Sequence, residues 1–403
     1  MATIANGSEE KLRTLIARQK PGFSLAETFY SDPDIYARDL ERLLMRHWLV
    51  AGHESSVEKP GDYVLVEIAG ESVIIVRGQD SVVRAHANVC RHRGSRVCRE
   101  AKGNAKVFVC PYHAWAYNLD GTLRSARHMP EDFDATAHGL KPVHLRVIEG
   151  LILISFAQHP LGLGTIEATM RDCIRPYGWT KARVAHREIY PIEANWKLSV
   201  ENYLECYHCA PAHPEYSKLH ALEQPWPKIQ ALKVAMDARG TALGFRADEH
   251  SHWQQSSTGE EAVHGFRYPL HDGMVTGSAD GKPVAPLMGG LNGYDGGVTS
   301  VHLGPASFFI AYPDHGVIYR FFPVTIGTSA LEVIWIVDRD AKEGVDYDRD
   351  ALTWLWHVTS GADKRIIEDN QKGVASRYYE PGPFAPMEYN ERRWVEWYLA
   401  EMA

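Results

Sequence analysis

"NVCRHRGSRVCREAKGNAKVFVCPYHAWAYNLDG", Asn88–Gly121, contains two half-sites of the same kind. Cys90 and His92 flank a single residue, and Cys110 and His113 flank two. Two thiolates and two imidazoles suit either a tetrahedral zinc ion or an iron–sulfur centre in which two His replace two Cys on one iron. Zinc fingers usually space the first Cys pair by two to four residues and set both His together on a helix. Here each half carries one Cys and one His and follows a β-like run. That pattern lets two hairpin loops meet, with the Cys pair on one iron and the His pair on the other, and it favours the cluster.

The sequence around these loops reads as strand. "DYVLVEIAG" (62–70) and "ESVIIVRG" (71–78) are rich in Val and Ile and end on Gly, so the texture from Trp48 to Phe156 predicts an all-β unit. Before it, "SDPDIYARDLERLLMRHW" (31–48) offers Ser31 or Asp32 as an N-cap and Pro33 in the first turn of a helix. After it, helical segments such as "TIEATMRDCIRPYG" (165–178) alternate with strands such as "VIYRFFPVTI" (317–326) and "SALEVIWIVDR" (329–339), an α+β pattern with a long sheet. The polar stretch from Ala247 to Thr299 shows little periodicity and reads as a long loop that serves as a lid, an interface arm or a disordered piece. "APMEYNERRWVEWYLAEMA" (385–403) predicts a terminal amphipathic helix.

The bulk properties limit the function classes. A chain of 403 residues, 45% hydrophobic and 23% charged, has room for two or three domains. A formal charge of -8 argues against nucleic-acid or anionic-membrane partners. No apolar run reaches transmembrane length, and the opening residues lack a signal core, so the expected compartment is the cytoplasm. Six Cys without a secretory signal point to metal or redox chemistry rather than a disulfide framework. "MGGLNGYDGG" (288–297) is Gly-rich but does not sit at a strand-to-helix turn, so it fails the dinucleotide-binding context.

A second constellation stands in "ENYLECYHCAPAHPEY", Glu201–Tyr216. His208 and His213 are five apart, so a helix must end between them, and Pro211 and Pro214 supply the break. Glu205 and His208 are three apart and are expected to share a helical face. Two His with one carboxylate and open positions form the ligand set of mononuclear non-haem Fe(II) oxygenases. A surface His/Glu pair is the plainer alternative.

The loops "CRHRG" and "CPYHAWAYNLDG" resemble those of the Rieske [2Fe–2S] domain of Rieske non-haem iron oxygenases. Unlike respiratory Rieske proteins, they lack a second Cys in each loop; Ala114 follows His113, and Cys98 reads as a structural or free thiol. Trp115 and Tyr117 read as core or as shielding for the cluster, and Arg91 and Arg93 as charge stabilisers or partner contacts.

The resemblance covers the chain from about Pro21 onward. It implies an α+β fold with an N-terminal helical segment (1–45) packing on the catalytic domain. A Rieske domain (46–160) follows, then a catalytic domain (161–403) whose long antiparallel sheet is flanked by helices in a helix-grip, START-like arrangement. It implies a [2Fe–2S] cluster on Cys90, His92, Cys110 and His113, and Fe(II) on His208, His213 and a downstream Asp. In "GADKRIIEDNQKGVASRYYEPG" (361–382) that residue is Asp363, eight before Gln371, with Asp369 as the fallback.

In this family the acidic residue three before the first His bridges a neighbouring subunit's cluster to the iron. Here it is Glu205, as in the branch acting on choline, glycine betaine, carnitine or proline betaine, with Asn202 displaced by one position from the ring-hydroxylating pattern. The implied activity is hydroxylation of a quaternary ammonium substrate by O2, N-demethylating it with release of formaldehyde. A permanent cation can be held over aromatic faces, so Tyr203, Trp226, Phe308, Phe309 and Tyr312 are candidate cage residues, with plain core as the alternative. Aromatic or carboxylic substrates are the alternative, and a pure electron carrier is a third reading. Implied partners are a flavin/ferredoxin-type reductase using NAD(P)H and two further copies of the chain in a head-to-tail homotrimer.

Overall fold

Ten strands arise from the Val/Ile-rich region in the computed structural model, which describes residues 2–68, 70–222, 225–246, 250–253 and 256–403. They are β1 (Leu49–His53), β2 (Asp62–Ile68), β3 (Glu71–Arg77), β4 (Val83–Ala87), β5 (Lys102–Asn104), β6 (Phe108–Val109), β7 (Ala116–Tyr117), β8 (Leu123–Ser125), β9 (Pro142–Ile148) and β10 (Leu151–Ser155). Seven form an antiparallel sheet in the order β1-β10-β9-β4-β3-β2-β5, and β6-β7-β8 form a small second sheet. β3 is buried along both faces from Ser72 to Val76, which explains its unbroken apolar run. Its Ile74 and Val76 pack with Phe108, Trp115 and Tyr117 to make the core beneath the two Cys/His loops.

The second half of the chain builds a seven-stranded antiparallel sheet from β11 (Ala182–Ile192), β12 (His250–His252), β13 (Val263–Pro269), β14 (Gly297–Leu303), β15 (Ser307–Ala311), β16 (Gly316–Thr325) and β17 (Thr328–Asp338), in the order β11-β17-β16-β15-β14-β13-β12. The stretch from 247 to 299 is therefore not a plain loop: it supplies the edge strand β12, its neighbour β13 and the start of β14, while 247–249 and 254–255 lie outside the described residues. The signal was present in "VHGFRYP", where Phe266 and Tyr268 alternate with Gly265 and Arg267 across the two faces, but His and Gly blurred it.

Among the described residues ten α-helices accompany these sheets: α1 (Ala2–Arg18), α2 (Thr28–Ser31), α3 (Pro33–Asp39), α4 (Gly164–Cys173), α5 (Trp196–Leu204), α6 (Cys209–Ala212), α7 (Pro214–Ser217), α8 (Trp226–Ala242), α9 (Arg349–Val374) and α10 (Tyr389–Met402). Asp32, not Ser31, caps α3, accepting from the Asp34 and Ile35 amides with Pro33 at the first helical position. Asp39 at the end of α3 forms a buried ion pair with Lys197 of α5 and accepts from Trp196 Nε1 and from Tyr398 of α10. The N-terminal segment thus meets the catalytic unit through charged groups that would each be costly to leave unpaired.

Two helices position the second constellation. Asn195 caps α5: its side chain accepts from the Lys197 amide and donates to the Tyr30 and Ile326 carbonyls at 3.0 and 2.8 Å. α9 begins at an Asp348 cap and crosses to the same region, where Gln371 Oε1 accepts from the Asn195 amide at 2.8 Å. The start of α5 and the last turns of α9 are thereby fixed to one another.

Candidate active site and cluster loops

The two loops of the first motif repeat one backbone pattern. In the first, the Gly94 amide donates to the Cys90 carbonyl at 3.0 Å and the Cys90 amide to the Ser95 carbonyl at 2.8 Å. In the second, Ala114 donates to Cys110 and Cys110 to Trp115 at the same distances, 3.0 and 2.8 Å. The fifth residue of each turn is left-handed, Gly94 at φ 79° and Ala114 at φ 55°. For Ala this conformation costs on the order of 1 kcal/mol, which the paired loops must offset. Both Cys lie at the buried bases of the loops and both His at the exposed tips.

The tips converge, with His92 Nδ1 and His113 Nδ1 3.2 Å apart. His92 stacks on Trp115 at 4.9 Å between ring centres, which fixes its plane. Tyr117 Oη lies 3.2 Å from Cys90 Sγ and accepts from the Arg91 amide at 3.0 Å. Two buried sulfurs and two facing imidazole nitrogens fit a cluster whose irons divide the thiolates from the imidazoles. Cys98 is buried and unbridged, and burial pushes its thiol up to about 12. Arg93 is exposed over the Tyr112 ring, and Val89, Val109 and Tyr112 leave apolar surface around the tips.

At the second constellation the structure corrects one expectation. Glu205 and His208 do not share a helical face, because α5 ends at Leu204 and Glu205 is extended at φ -125°. The Glu205 carboxylate instead closes a local turn, accepting from the Tyr207 and His208 amides, and still contacts His208 Nδ1. Side-chain capping of this kind competes with helix continuation, which explains why α5 stops there. His208 occupies the residue before α6, and His213 sits between α6 and α7 with Pro214 after it.

From α9, Asp363 Oδ1 reaches to 3.2 Å from His208 Nε2 and 3.6 Å from His213 Nδ1. His213 Nδ1 and Asp363 Oδ1 are buried, yet neither makes a hydrogen bond. Buried polar atoms without partners are rare and call for a ligand, and a cation among these three donors satisfies both. Burial lowers the His208 pKa, but Asp363 and Glu205 outweigh it and raise it to about 10, so a positive charge belongs here. Cys209 Sγ also lies within 4.8 Å of the two imidazole donors. Its hydrogen bond with Cys206 and its burial push that thiol far up, and two His with one carboxylate are the donor set that leaves open positions on Fe(II). Asp369 is exposed and pairs with Lys372, away from the site.

A cavity of about 270 Å³ opens beside these donors. Tyr203 of α5, Tyr216 of α7, Phe266 and Tyr268 of β13, Tyr319 of β16 and Trp356 of α9 supply its aromatic lining. Among the described residues, no Lys or Arg lines it. Of the aromatic residues expected there, only Tyr203 does. Phe308 lies beneath it, stacked on the Tyr203 ring at 4.4 Å. Phe309 faces the opposite side of β15, against Trp179, because strand neighbours alternate. Tyr312 is buried with its hydroxyl 2.7 Å from His220 Nε2, and Trp226 is 69% exposed at the start of α8. Phe266, Tyr268 and Tyr319 were missed because they become neighbours only through strand pairing. The period-two pattern of β13 and β16 was the available signal.

The comparisons agree with this geometry. Residues 47–146 match the model of the Rieske [2Fe-2S] domain, and residues 179–403 match that of the ring hydroxylating alpha subunit (catalytic domain). The chain is 37% identical to the glycine betaine monooxygenase oxygenase subunit of Chromohalobacter salexigens, over 96% of this chain and 87% of that protein. It is 30% identical to the carnitine monooxygenase oxygenase subunit of Escherichia coli K12, over 90% of this chain and 87% of that one. The solved structure of the quaternary ammonium Rieske monooxygenase CntA shares the fold, with a TM-score of 0.72 at 22% identity and 96% of each chain covered.

Proposed function

This chain belongs to the family of Rieske ring-hydroxylating oxygenases, and we propose that it removes an N-methyl group from a quaternary ammonium substrate. Its cofactors are a Rieske [2Fe–2S] cluster and a mononuclear iron, and it is the oxygenase component of a multicomponent system that takes electrons from a reductase. In our reading Cys90, His92, Cys110 and His113 hold the cluster, and His208, His213 and Asp363 hold the iron. When bound, the two groups supply the electrons and the open coordination positions that O2 reduction needs.

The observation that carries the substrate reading is the aromatic cavity beside the three donors. A trimethylammonium group cannot donate a hydrogen bond and is held by aromatic faces. Tyr216, Phe266, Tyr268 and Tyr319 bring such rings to the cavity, and no Lys or Arg competes among the described lining residues. Relatives that match nearly the whole chain carry the names glycine betaine and carnitine monooxygenase. Hydroxylating one methyl gives a hemiaminal; the C–N bond then breaks, releasing formaldehyde, the tertiary amine and a proton. The oxidation consumes one O2, two protons and two electrons and places one oxygen atom in the hemiaminal and the other in water; the electrons come from NAD(P)H through a flavin/ferredoxin-type reductase.

The chain's own residues do the positioning. Glu205 holds His208 by its Nδ1 and fixes the ring plane. In a head-to-tail homotrimer Glu205 also faces a neighbour's exposed His92 and His113, so that electrons cross between subunits. Among the described residues no helix is long and apolar enough to cross a membrane, and we place the enzyme in the cytoplasm, where the reductase has its NAD(P)H.

The test is a reductase-coupled assay with glycine betaine, carnitine and choline. Formaldehyde formed in equal amounts with the demethylated amine supports the proposal. O2-dependent oxidation of an aromatic acid, with no formaldehyde from any of the three, would overturn it.

A further inference from the structure

Cys206 and Cys209 flank Tyr207 and His208, so one of the iron donors stands inside a Cys-x-x-Cys pair. Neither thiol has a part in the chemistry above. The Cys209 amide donates to the Cys206 carbonyl at 3.2 Å, and His208, at φ -80° and ψ -13°, is the third residue of a type I turn. Such a turn holds its end Cα atoms within about 7 Å, which overlaps the span of about 4.4–6.8 Å that a disulfide bridges. The side chains also meet, since the two thiols hydrogen-bond to each other. Both residues line the cavity. All six cysteines are unbridged, and Cys206 alone among them is half-buried rather than buried.

We propose that Cys206 and Cys209 are an oxidation site: hydrogen peroxide closes them to a disulfide, and the closed ring loosens the iron held through His208. The disulfide depends only on the turn, whereas its effect rests on the iron reading above. Two electrons and two protons delivered to O2 without oxidation of a substrate make hydrogen peroxide, so the oxidant arises in the cavity that the pair lines. The half-buried Cys206 sulfur attacks the peroxide O–O bond, giving a sulfenic acid and one water. The Cys209 sulfur then attacks the Cys206 sulfur. The S–O bond breaks, the thiol proton leaves with the hydroxyl as a second water, and the S–S bond forms. Two thiols and one peroxide thus give one disulfide and two waters. A covalent bond draws the sulfurs closer than a hydrogen bond does. His208 lies within the closed ring, and the Glu205 carboxylate that holds its amide and its imidazole directly precedes it. Cys209 Sγ lies within 4.8 Å of the His208 and His213 donors, so its displacement reaches them directly.

The test treats the cluster- and iron-loaded protein with dilute hydrogen peroxide in the absence of substrate. Free thiols are then alkylated, and peptide masses, iron and labile sulfide are measured. The wild type should give a peptide spanning 206–209 that is lighter by two hydrogen atoms and closed to alkylation. It should lose about one of its three irons and keep its labile sulfide. Dithiothreitol followed by Fe(II) should restore the iron. Cys206→Ser and Cys209→Ser, unable to form the bond, should keep the iron under the same treatment. Free thiols at both positions, a sulfinic or sulfonic acid in place of the disulfide, or a disulfide with the iron retained would overturn the proposal. So would a serine variant that loses iron as fast as the wild type. An untreated wild type without a third iron removes the iron reading and the effect on it, while the peptide masses still decide the disulfide.

Discussion

Single side chains set the electronic properties of both centres. Tyr117 is buried with its hydroxyl 3.2 Å from Cys90 Sγ, and a thiolate there accepts from the phenol. A donor stabilises the reduced cluster more than the oxidised one, because the reduced form carries the extra negative charge. If that difference is about 1 kcal/mol, Tyr117→Phe lowers the one-electron potential by roughly 40 mV, measurable by redox titration of the visible spectrum. An unchanged potential would mean that the hydroxyl serves only the Arg91 amide. Glu205→Gln keeps the size of the side chain but removes its charge. It should lower steady-state turnover at least about tenfold while a chemically reduced sample keeps its cluster spectrum; unimpaired turnover would refute the bridging role. At this scale the sequence was most legible for Cys90, His92, Cys110 and His113, whose types and spacing by themselves point to the proposed cluster and whose loops the structure brings together. It was least legible for the cavity, because Phe266, His302 and Trp356 come from three distant segments and show no local pattern.

Elements place these residues, and their ends matter more than their middles. Helix α5 ends before Glu205, so a three-residue spacing that reads as a helical face is in fact a turn closed by the carboxylate. The stretch 247–299 reads as loop, yet pairing with β14 turns 263–269 into strand, because sheet neighbours override weak local preference. The link from the N-terminal helices into the first sheet passes through His47. This imidazole is buried, 2.7 Å from Glu261 and 3.6 Å from Glu401 of α10. Burial lowers its pKa, but the two carboxylates outweigh it and raise it to about 9, against about 6.5 for the unfolded chain. The contribution is therefore complete below about pH 6.5, declines as pH rises and is gone above about pH 9, amounting to about 3 kcal/mol. Melting temperature should fall across this window in the wild type and fall less in His47→Gln. Parallel pH profiles for the two proteins would contradict a charged His47.

For the whole molecule, the order of the two sheets along the chain was readable from texture, whereas the face each presents to the other was not. The cluster tips expose His92 and His113 amid Val89, Val109 and Tyr112, while the donors on α6 and α9 open on another unit. In the proposed trimer, one chain's cluster serves its neighbour's iron. Co-assembling a Cys90→Ala chain with an Asp363→Ala chain should then restore turnover that neither variant shows alone. A co-assembled sample as inactive as the separate variants would place the electron path within one subunit.

Both centres are tested together by iron and acid-labile sulfide analysis of the wild type and of Asp363→Ala. The account predicts about three irons and two sulfides per chain in the wild type, and about two of each in the variant. Zinc in place of iron, absence of labile sulfide, or a third iron retained without Asp363 would contradict it.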